Sequence, residues 1–455
     1  MVRSNILCTY LIRAMEVKKT IDPNKKYNMP PSIKVVKHRD SFLVIAPETA
    51  KWIVLDNDEQ FDFFELLRNY TLQDSLNRFK GDYNNAQHVV IQLEARRFED
   101  TRTIIKTDDG IMQLYLTNSC NLRCPHCYMV AGEKKKDELT IAEIKELLYN
   151  YKKHDGKTVV FTGGEVCMHP HLYEIISYSY EVGLKNEILT NGTMWTDEMV
   201  DKISPLVQRI QVSIDGYSEE ENAKVRGKNN FKKSLDTIDK FLRKRVLVDV
   251  AITPLYNTSL KANYKNYIAF ARNLKEKYEK YNLNIRFTSE MLDGRDVHLS
   301  KEEKQDYKEI MGKIINECFV DYADVPFINF HKMGGIEMNC DYGNLTVACN
   351  GDVYFCPQVS RLRSVVNLRD VDFCVIAEMA EKARTLSSVN NLMPCKECEL
   401  KHICGGDCRI NFFEVFRDCD IEKLKSSTPT RLCNSQVKEE YYDLMIRTNE
   451  KLFQQ

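Results

Sequence analysis

The sequence carries almost no net charge, since 65 Lys and Arg residues face 66 Asp and Glu residues. This balance gives no overall positive field for nucleic acid or for an anionic membrane surface. No apolar run approaches the length of a membrane span, and residues 1–15 lack the long apolar stretch and small-residue cleavage site of a signal peptide. Repeats and low-complexity tracts are also lacking. We therefore expect a cytoplasmic protein that binds neither membranes nor nucleic acid.

Cysteine, by contrast, is abundant, with 16 residues in a chain of 455. A chain of this length, rich in Lys and Glu, does not fit a disulfide scaffold. Its cysteines instead cluster at spacings that are typical of metal ligands. We expect reduced thiols that bind metal in a reducing compartment.

The hydrophobic pattern predicts a small N-terminal domain after a flexible segment at 1–30. Two strand-like runs at 41–46 and 51–55 flank a short turn, and three helix-like stretches follow. A hairpin with three helices predicts a winged-helix-like unit at 31–105.

From about residue 106 strand-like and helix-like patterns alternate. Alternation of this kind implies a parallel sheet with helices packed against it. The strand-like runs lie at 111–117, 158–162, 187–189, 209–214, 246–253 and 284–288. Six such units predict an α/β fold, a partial (β/α)6 barrel at 106–310, with its chemistry at the C-terminal ends of the strands. A Cys-rich, loop-like region at 311–455 follows.

Three cysteines, Cys120, Cys124 and Cys127, lie just after the first barrel strand, with Tyr128 beside the last. Three thiolates in one loop can bind three irons of a [4Fe–4S] cluster and leave the fourth iron open. The alternative is a zinc knuckle, but zinc sites usually take four ligands from paired CxxC groups. The spacing and position therefore favour iron–sulfur.

This stretch, CNLRCPHCY, resembles the cluster motif of the radical S-adenosylmethionine (SAM) superfamily. In that superfamily the open iron binds SAM, and one electron cleaves SAM to a 5′-deoxyadenosyl radical that takes hydrogen from substrate. The resemblance implies an oxidoreductase that needs SAM and an electron donor such as a flavodoxin or ferredoxin.

The resemblance extends to segments at later strand ends, where it implies contacts to SAM. Glu165 would complement the methionine ammonium, and Arg226 its carboxylate. The alternatives are that Gly163-Gly164 and Asn191-Gly192 form ordinary turns and that Arg226 forms a surface salt bridge. The family often has His-Asp where Asn222-Ala223 stand here. The implied SAM-binding residues are Tyr128, Gly163, Gly164, Glu165, Asn191, Ser213 and Arg226.

A second array of cysteines resembles the seven-cysteine signature of the SPASM domain, which holds auxiliary [4Fe–4S] clusters in peptide-modifying radical SAM enzymes. The resemblance implies one cluster on Cys395, Cys398, Cys404 and Cys433, and another on Cys340, Cys356 and Cys408, with Cys349 as a candidate fourth ligand. Thr346 stands where many members have a further cysteine, so the alternative is an iron open to a substrate thiolate. Cys419 is the alternative to Cys433, and structural zinc is the alternative to both clusters.

Residues 31–105 resemble the precursor-peptide recognition element of ribosomal-peptide maturases. There a leader peptide would add as a strand to the edge of the 41–55 hairpin. The alternative is a DNA-reading winged helix. The first helix, however, carries Asp58, Glu59, Asp62 and Glu65, which repel phosphate.

These resemblances predict a maturase that binds a precursor peptide and uses the radical to form a thioether, carbon–carbon or carbon–oxygen cross-link in its core. The nearest alternative is an anaerobic sulfatase-maturating, formylglycine-generating enzyme. That family carries an acidic residue directly after the cysteine that matches Cys356, where Pro357 stands here. A non-catalytic peptide-binding module is a third alternative.

Overall fold

The structure is a computed structural model that describes residues 21–100, 110–318, 335–431, 433 and 435–453. Of the segment at 1–30 that we expected to be flexible, residues 1–20 lie outside these ranges. The expected domain boundary at 105/106 also lies outside them.

The N-terminal domain is an antiparallel sheet packed against three helices. The side chains of Asn57, Thr71 and Asp82 begin the helices by accepting backbone N–H bonds. The strands, in the spatial order β1-β2-β3, are β1 (Lys34–His38), β2 (Ser41–Ala46) and β3 (Lys51–Leu55), and the helices are α1 (Asp58–Asn69), α2 (Leu72–Arg78) and α3 (Tyr83–Ala95). The unit is winged-helix-like, as predicted, with β1 as an additional strand.

The additional strand changes which edges of the sheet are free. β2 is central, so the run 41–46 offers no edge for a peptide strand, contrary to our expectation. On β3 the backbone N–H of Val54 donates to the side chain of Gln92 at 3.0 Å, and Gln92 donates back to the Val54 carbonyl. Gln92 is fully buried on α3. The hairpin edge is therefore closed at Val54, which leaves the outer edge of β1.

The middle of the chain forms the predicted open barrel of parallel strands with helices outside. Its strands are adjacent in chain order: β4 (Ile111–Tyr115), β5 (Thr158–Thr162), β6 (Lys185–Thr190), β7 (Arg209–Ser213), β8 (Leu247–Ile252) and β9 (Leu283–Phe287). The helices are α4 (Ile141–Lys153), α5 (Leu172–Glu181), α6 (Asp197–Ile203), α7 (Glu219–Arg226), α8 (Phe231–Arg243), α9 (Thr258–Lys277) and α10 (Lys301–Cys318). Strand residues such as Val159 and Ile210 are fully buried; β5 is buried at every position, whereas β6 and β7 are buried at alternate positions.

Helix α10 closes this unit, because Tyr307, Met311 and Ile314 belong to the barrel core. The boundary that we expected at 310/311 lies inside this helix. No helix within the described ranges is both long enough and apolar enough to cross a membrane.

The C-terminal region extends the barrel sheet. β10 pairs in parallel with β4, with Thr346 opposite Gln113 and Val347 opposite Leu114, and two antiparallel strands follow it outward. The elements are β10 (Thr346–Val347), β11 (Asp352–Tyr354), β12 (Val366–Asn367), α11 (Phe373–Ser387), α12 (Lys401–Cys404), α13 (Arg409–Phe412), α14 (Ile421–Ser426) and α15 (Ser435–Phe453). The Cys-rich region is thus joined to the barrel by backbone bonds beside its first strand.

The N-terminal sheet packs its second face on the C-terminal region. Leu43, Ile45 and Trp52 share an apolar cluster with Ile403 and Met445. At the rim Lys401 Nζ lies 2.7 Å from the Glu48 carboxylate. The N-terminal domain therefore sits directly against the helix that contains Cys404.

Replacing Gln92 by Ala removes both bonds to Val54 and leaves two buried backbone groups unpaired. We expect the free energy of unfolding to fall by about 1–3 kcal/mol, measured by urea unfolding. The matched control is Gln87→Ala on the exposed face of the same helix, which should change it by less than about 0.5 kcal/mol. Equal effects of the two substitutions would contradict this account of the β3 edge.

Candidate active site

The loop with the first three cysteines follows β4 at the C-terminal end of the barrel strands. The backbone N–H of Cys120 donates to Gly132 O at 2.9 Å, and Gly132 N–H donates to Asn118 O at 2.9 Å. These two bonds join the start and the end of the loop. From the segment after β9, Arg295 donates to the Cys124 carbonyl at 3.1 Å. The loop is therefore clamped from within and from the far edge of the barrel.

Two thiols in this loop, those of Cys120 and Cys124, have a raised pKa and stay neutral unless a cation binds them. Burial raises the pKa of Cys124 to about 11, although nearby Arg226 opposes the shift, and burial also raises the pKa of Cys120. Within the described residues no three His, Cys, Asp or Glu side chains converge on one single-ion position.

The Gly-Gly segment after β5 packs against the base of this loop. Gly164 N–H donates to Thr117 O at 2.7 Å, and Glu165 N–H donates to Ser119 O at 2.8 Å. A Cβ atom on Gly164 would lie 2.2 Å from Ser119 O, so only glycine fits there. The close approach brings the Gly163–Glu165 stretch to the cysteine loop.

Glu165 is buried, and its carboxylate holds the turn after β6. It accepts hydrogen bonds from Thr190 Oγ1 at 2.6 Å and from Asn191 N–H at 2.7 Å. Burial raises the pKa of Glu165, while these donors act in the opposite direction. Asn191 in turn donates to Asn121 in the cysteine loop at 2.9 Å. Glu165 and Asn191 thus tie three strand ends together.

Asp215, to which the sequence reasoning gave no role, is a buried hub beside the cysteine loop. Its Oδ2 atom lies 2.6 Å from Arg226 Nε and 3.5 Å from His126 Nε2. Its Oδ1 atom accepts from Thr253 N–H at 3.1 Å. Burial alone would lower the pKa of Arg226, but Asp215 and the neighbouring thiols raise it. Arg226 is therefore a buried cation that faces the cysteines, which excludes the surface salt bridge.

Asn222, which stands with Ala223 where the family often has His-Asp, holds the segment after β7. It is fully buried, and its side-chain oxygen accepts the backbone N–H of Asp215 at 3.0 Å. It thereby fixes the turn that carries Asp215. Ser213, the other predicted contact on this segment, ends β7 opposite Ala251 of β8.

In the C-terminal region Cys340, Cys356 and Cys408 lie near one another. Burial raises the pKa of Cys356 to about 12, and the other two thiols add to the shift. Cys349 lies elsewhere, because the groups that act on its thiol are Glu138, Lys135 and Asp137. The structure therefore does not bring Cys349 to this group.

The remaining cysteines of the array line one pocket, formed with Arg431 and Tyr441 above them. They are Cys395, Cys398, Cys404 and Cys433. Cys419 is instead buried next to the Tyr342 hydroxyl, 3.9 Å from its sulfur. The pocket thus includes Cys433 and not Cys419.

Comparison with known proteins identifies the barrel. Residues 114–258 match the model of the radical SAM superfamily. Residues 114–258 therefore form a radical SAM domain. The superfamily uses a [4Fe–4S] cluster and SAM, and the observed donor set fits such a cluster, because the half-buried thiols of Cys120 and Cys124 need a cationic partner to ionise.

Two curated relatives and one solved structure illustrate the likeness. The antilisterial bacteriocin subtilosin biosynthesis protein AlbA of Bacillus subtilis is 27% identical over 61% of this chain, which spans 62% of AlbA. The AdoMet-dependent heme synthase of Methanosarcina barkeri is 28% identical over 67% of this chain and 92% of its own length. The structure of anSMEcpe with bound AdoMet and Cp18Cys peptide matches with a TM-score of 0.52 at 18% identity, covering 75% of this chain and 97% of that one. That structural likeness concerns the fold.

Replacing Asp215 by Ala would leave the Arg226 charge buried without its partner. We expect the free energy of unfolding to drop by about 3–5 kcal/mol in urea titrations. Glu198→Ala, which breaks the exposed pair with Lys202, is the control and should cost at most about 1 kcal/mol. An Asp215→Ala variant as stable as this control would rule out the buried pair.

Proposed function

We propose that this radical SAM enzyme modifies a ribosomal precursor peptide and installs a cross-link in its core. The observation that carries the proposal is the pairing of β10 with β4, which sets the second cysteine array beside the loop with the first three cysteines. A substrate at the barrel mouth then lies between two groups of thiols.

We propose that Cys120, Cys124 and Cys127 hold the cluster that binds SAM. When bound, the cluster and SAM supply a 5′-deoxyadenosyl radical that abstracts hydrogen from the substrate. The chain's own part is to orient SAM and exclude water. The residues assigned to SAM are Tyr128, Gly163, Gly164, Glu165, Asn191, Ser213 and Arg226. Their support is that Glu165, Asn191 and Arg226 all meet the cysteine loop.

For the auxiliary clusters we propose two ligand sets that differ from the sequence-based ones in one residue. Cys395, Cys398, Cys404 and Cys433 form one set, supported by their common pocket. Cys340, Cys356 and Cys408 form the other, without Cys349, because that thiol lies near Glu138 and Lys135. A three-thiol set leaves one iron position for a substrate thiolate, which favours a thioether among the possible cross-links.

Three observations favour peptide modification over heme synthesis and over formylglycine generation. AlbA, a bacteriocin biosynthesis protein, is among the relatives. A peptide maturase has a use for the N-terminal β-sheet domain, where a peptide can add as a strand. Formylglycine generation would require an acidic side chain where Pro357 stands.

We further propose that the leader peptide adds to the N-terminal sheet at the outer edge of β1. Both faces of the sheet are covered, one by its own helices and one by the C-terminal region. Opening the β3 edge would strand the buried Gln92 amide, at a cost of about 1–3 kcal/mol. The β1 strand is largely exposed, and Val35 keeps 40% of its surface in solvent.

The proposed chemistry requires the first cysteine loop. Replacing Cys120, Cys124 and Cys127 together by Ala should remove about four irons per chain and abolish formation of 5′-deoxyadenosine from SAM. Iron and sulfide assays and mass spectrometry measure both. Cys374→Ala, at an exposed thiol, is the control. Unchanged turnover in the triple variant would end the proposal, and formylglycine formed on a sulfatase peptide would replace it with the alternative enzyme.

The leader edge can be mapped by photocrosslinking. With p-benzoylphenylalanine in place of Val35, we expect ultraviolet light to crosslink a precursor peptide that carries its leader segment. The same substitution at exposed Tyr149 on α4 is the control and should give no product. Gln92→Leu, which frees Val54, should leave the yield at position 35 unchanged. If the crosslink formed only in the Gln92→Leu variant, the result would assign the leader to the β3 edge.

A further inference from the structure

A chain of hydroxyl groups connects the two cysteine-bearing loops at the barrel mouth. The Tyr115 hydroxyl lies 3.0 Å from the Tyr128 hydroxyl and 3.3 Å from the backbone carbonyl of Pro357. Tyr128 directly follows Cys127, and Pro357 directly follows Cys356. Two side chains therefore span the gap between the first cysteine loop and the second array.

The direction of these hydrogen bonds follows from what each group can donate. A carbonyl only accepts, so the bond to Pro357 uses the single proton of Tyr115. Tyr128 must then donate to Tyr115, and Gln113 Nε2 also donates to Tyr115 at 3.1 Å. One proton and two lone pairs of Tyr115 are all engaged, so this hydroxyl is the common anchor.

Tyr115 is held rigidly at the end of β4. Met112 and Leu114 of this strand point into the core between sheet and helices, so Gln113 and Tyr115 point to the concave side of the barrel. Only 2% of Tyr115 is exposed. The anchor thus lies on the strand that pairs with β10 and precedes the first cysteine loop.

The Tyr115 hydroxyl has no hydrogen-bonding position left for a substrate, because its proton and both lone pairs are engaged within the chain. A catalytic base is therefore not the use to which it is suited. What remains is the mechanical role of joining two loops.

We infer that Tyr115 is a positioning residue that fixes the loop after Cys356 relative to the loop of Cys120–Cys127. The effect of Tyr115 on catalysis rests on the proposed function. Because Tyr115 fixes the distance between the two loops, a substrate radical formed at the first loop lies at a fixed distance from the second cysteine array. Without Tyr115, SAM cleavage continues but is no longer coupled to bond formation.

The test is amide hydrogen exchange in the anaerobically purified protein. Tyr115→Phe should speed exchange at least tenfold in residues 358–362 and also at 128–131. Tyr128→Phe, which keeps the bond to Pro357, should speed only 128–131. The matched control is Tyr151→Phe, which removes a hydroxyl bond to Gly110 O at the other end of β4 and should change neither segment.

Turnover supplies the second readout. In Tyr115→Phe we expect the ratio of modified peptide to 5′-deoxyadenosine to fall at least tenfold, while 5′-deoxyadenosine forms within twofold of the parent rate. Unchanged exchange at 358–362, or an unchanged ratio, would overturn the inference. A parent enzyme that cleaves no SAM would contradict the proposed function instead, and the exchange data would still decide the role of Tyr115.

Discussion

The pairing of β10 with β4 is the constraint on which the arrangement of the site depends. It consists of two residue pairs, yet it joins parts of the chain separated by more than 200 positions. Since β4 also leads into the first cysteine loop, one strand sets the position of both cysteine groups. The hairpin of β10 and β11 then carries Cys356 to the barrel mouth.

Around the cysteine loop the site is built from buried polar groups whose charges are paired or hydrogen-bonded. Asp215 neutralises Arg226, and Glu165 is satisfied by Thr190 and Asn191. Isolated charges at such depth would be costly, and a paired network instead gives one well-defined arrangement. The same groups form the electrostatic surroundings of the thiols, so structure and chemistry share these residues.

The sequence was sufficient for the barrel and for the grouping of most cysteines. Its strands are buried at every position in β5 and at alternate positions in β6 and β7, so their apolar residues are visible in the sequence, and ligand spacing within one loop is local information. β10 has two residues and no pattern of its own, and its pairing is a long-range event. Cys349 has suitable spacing, but the turn between β10 and β11 directs it to Glu138. Spacing could not reveal that direction.

The central claim is that the loop after β4 holds a cluster with one iron free for SAM. Electron paramagnetic resonance of the anaerobically reduced protein tests it most directly. A variant lacking the second array's cysteines would leave one cluster signal, and this account predicts that adding SAM shifts that signal. A signal that SAM does not alter, or zinc in place of iron, would contradict it.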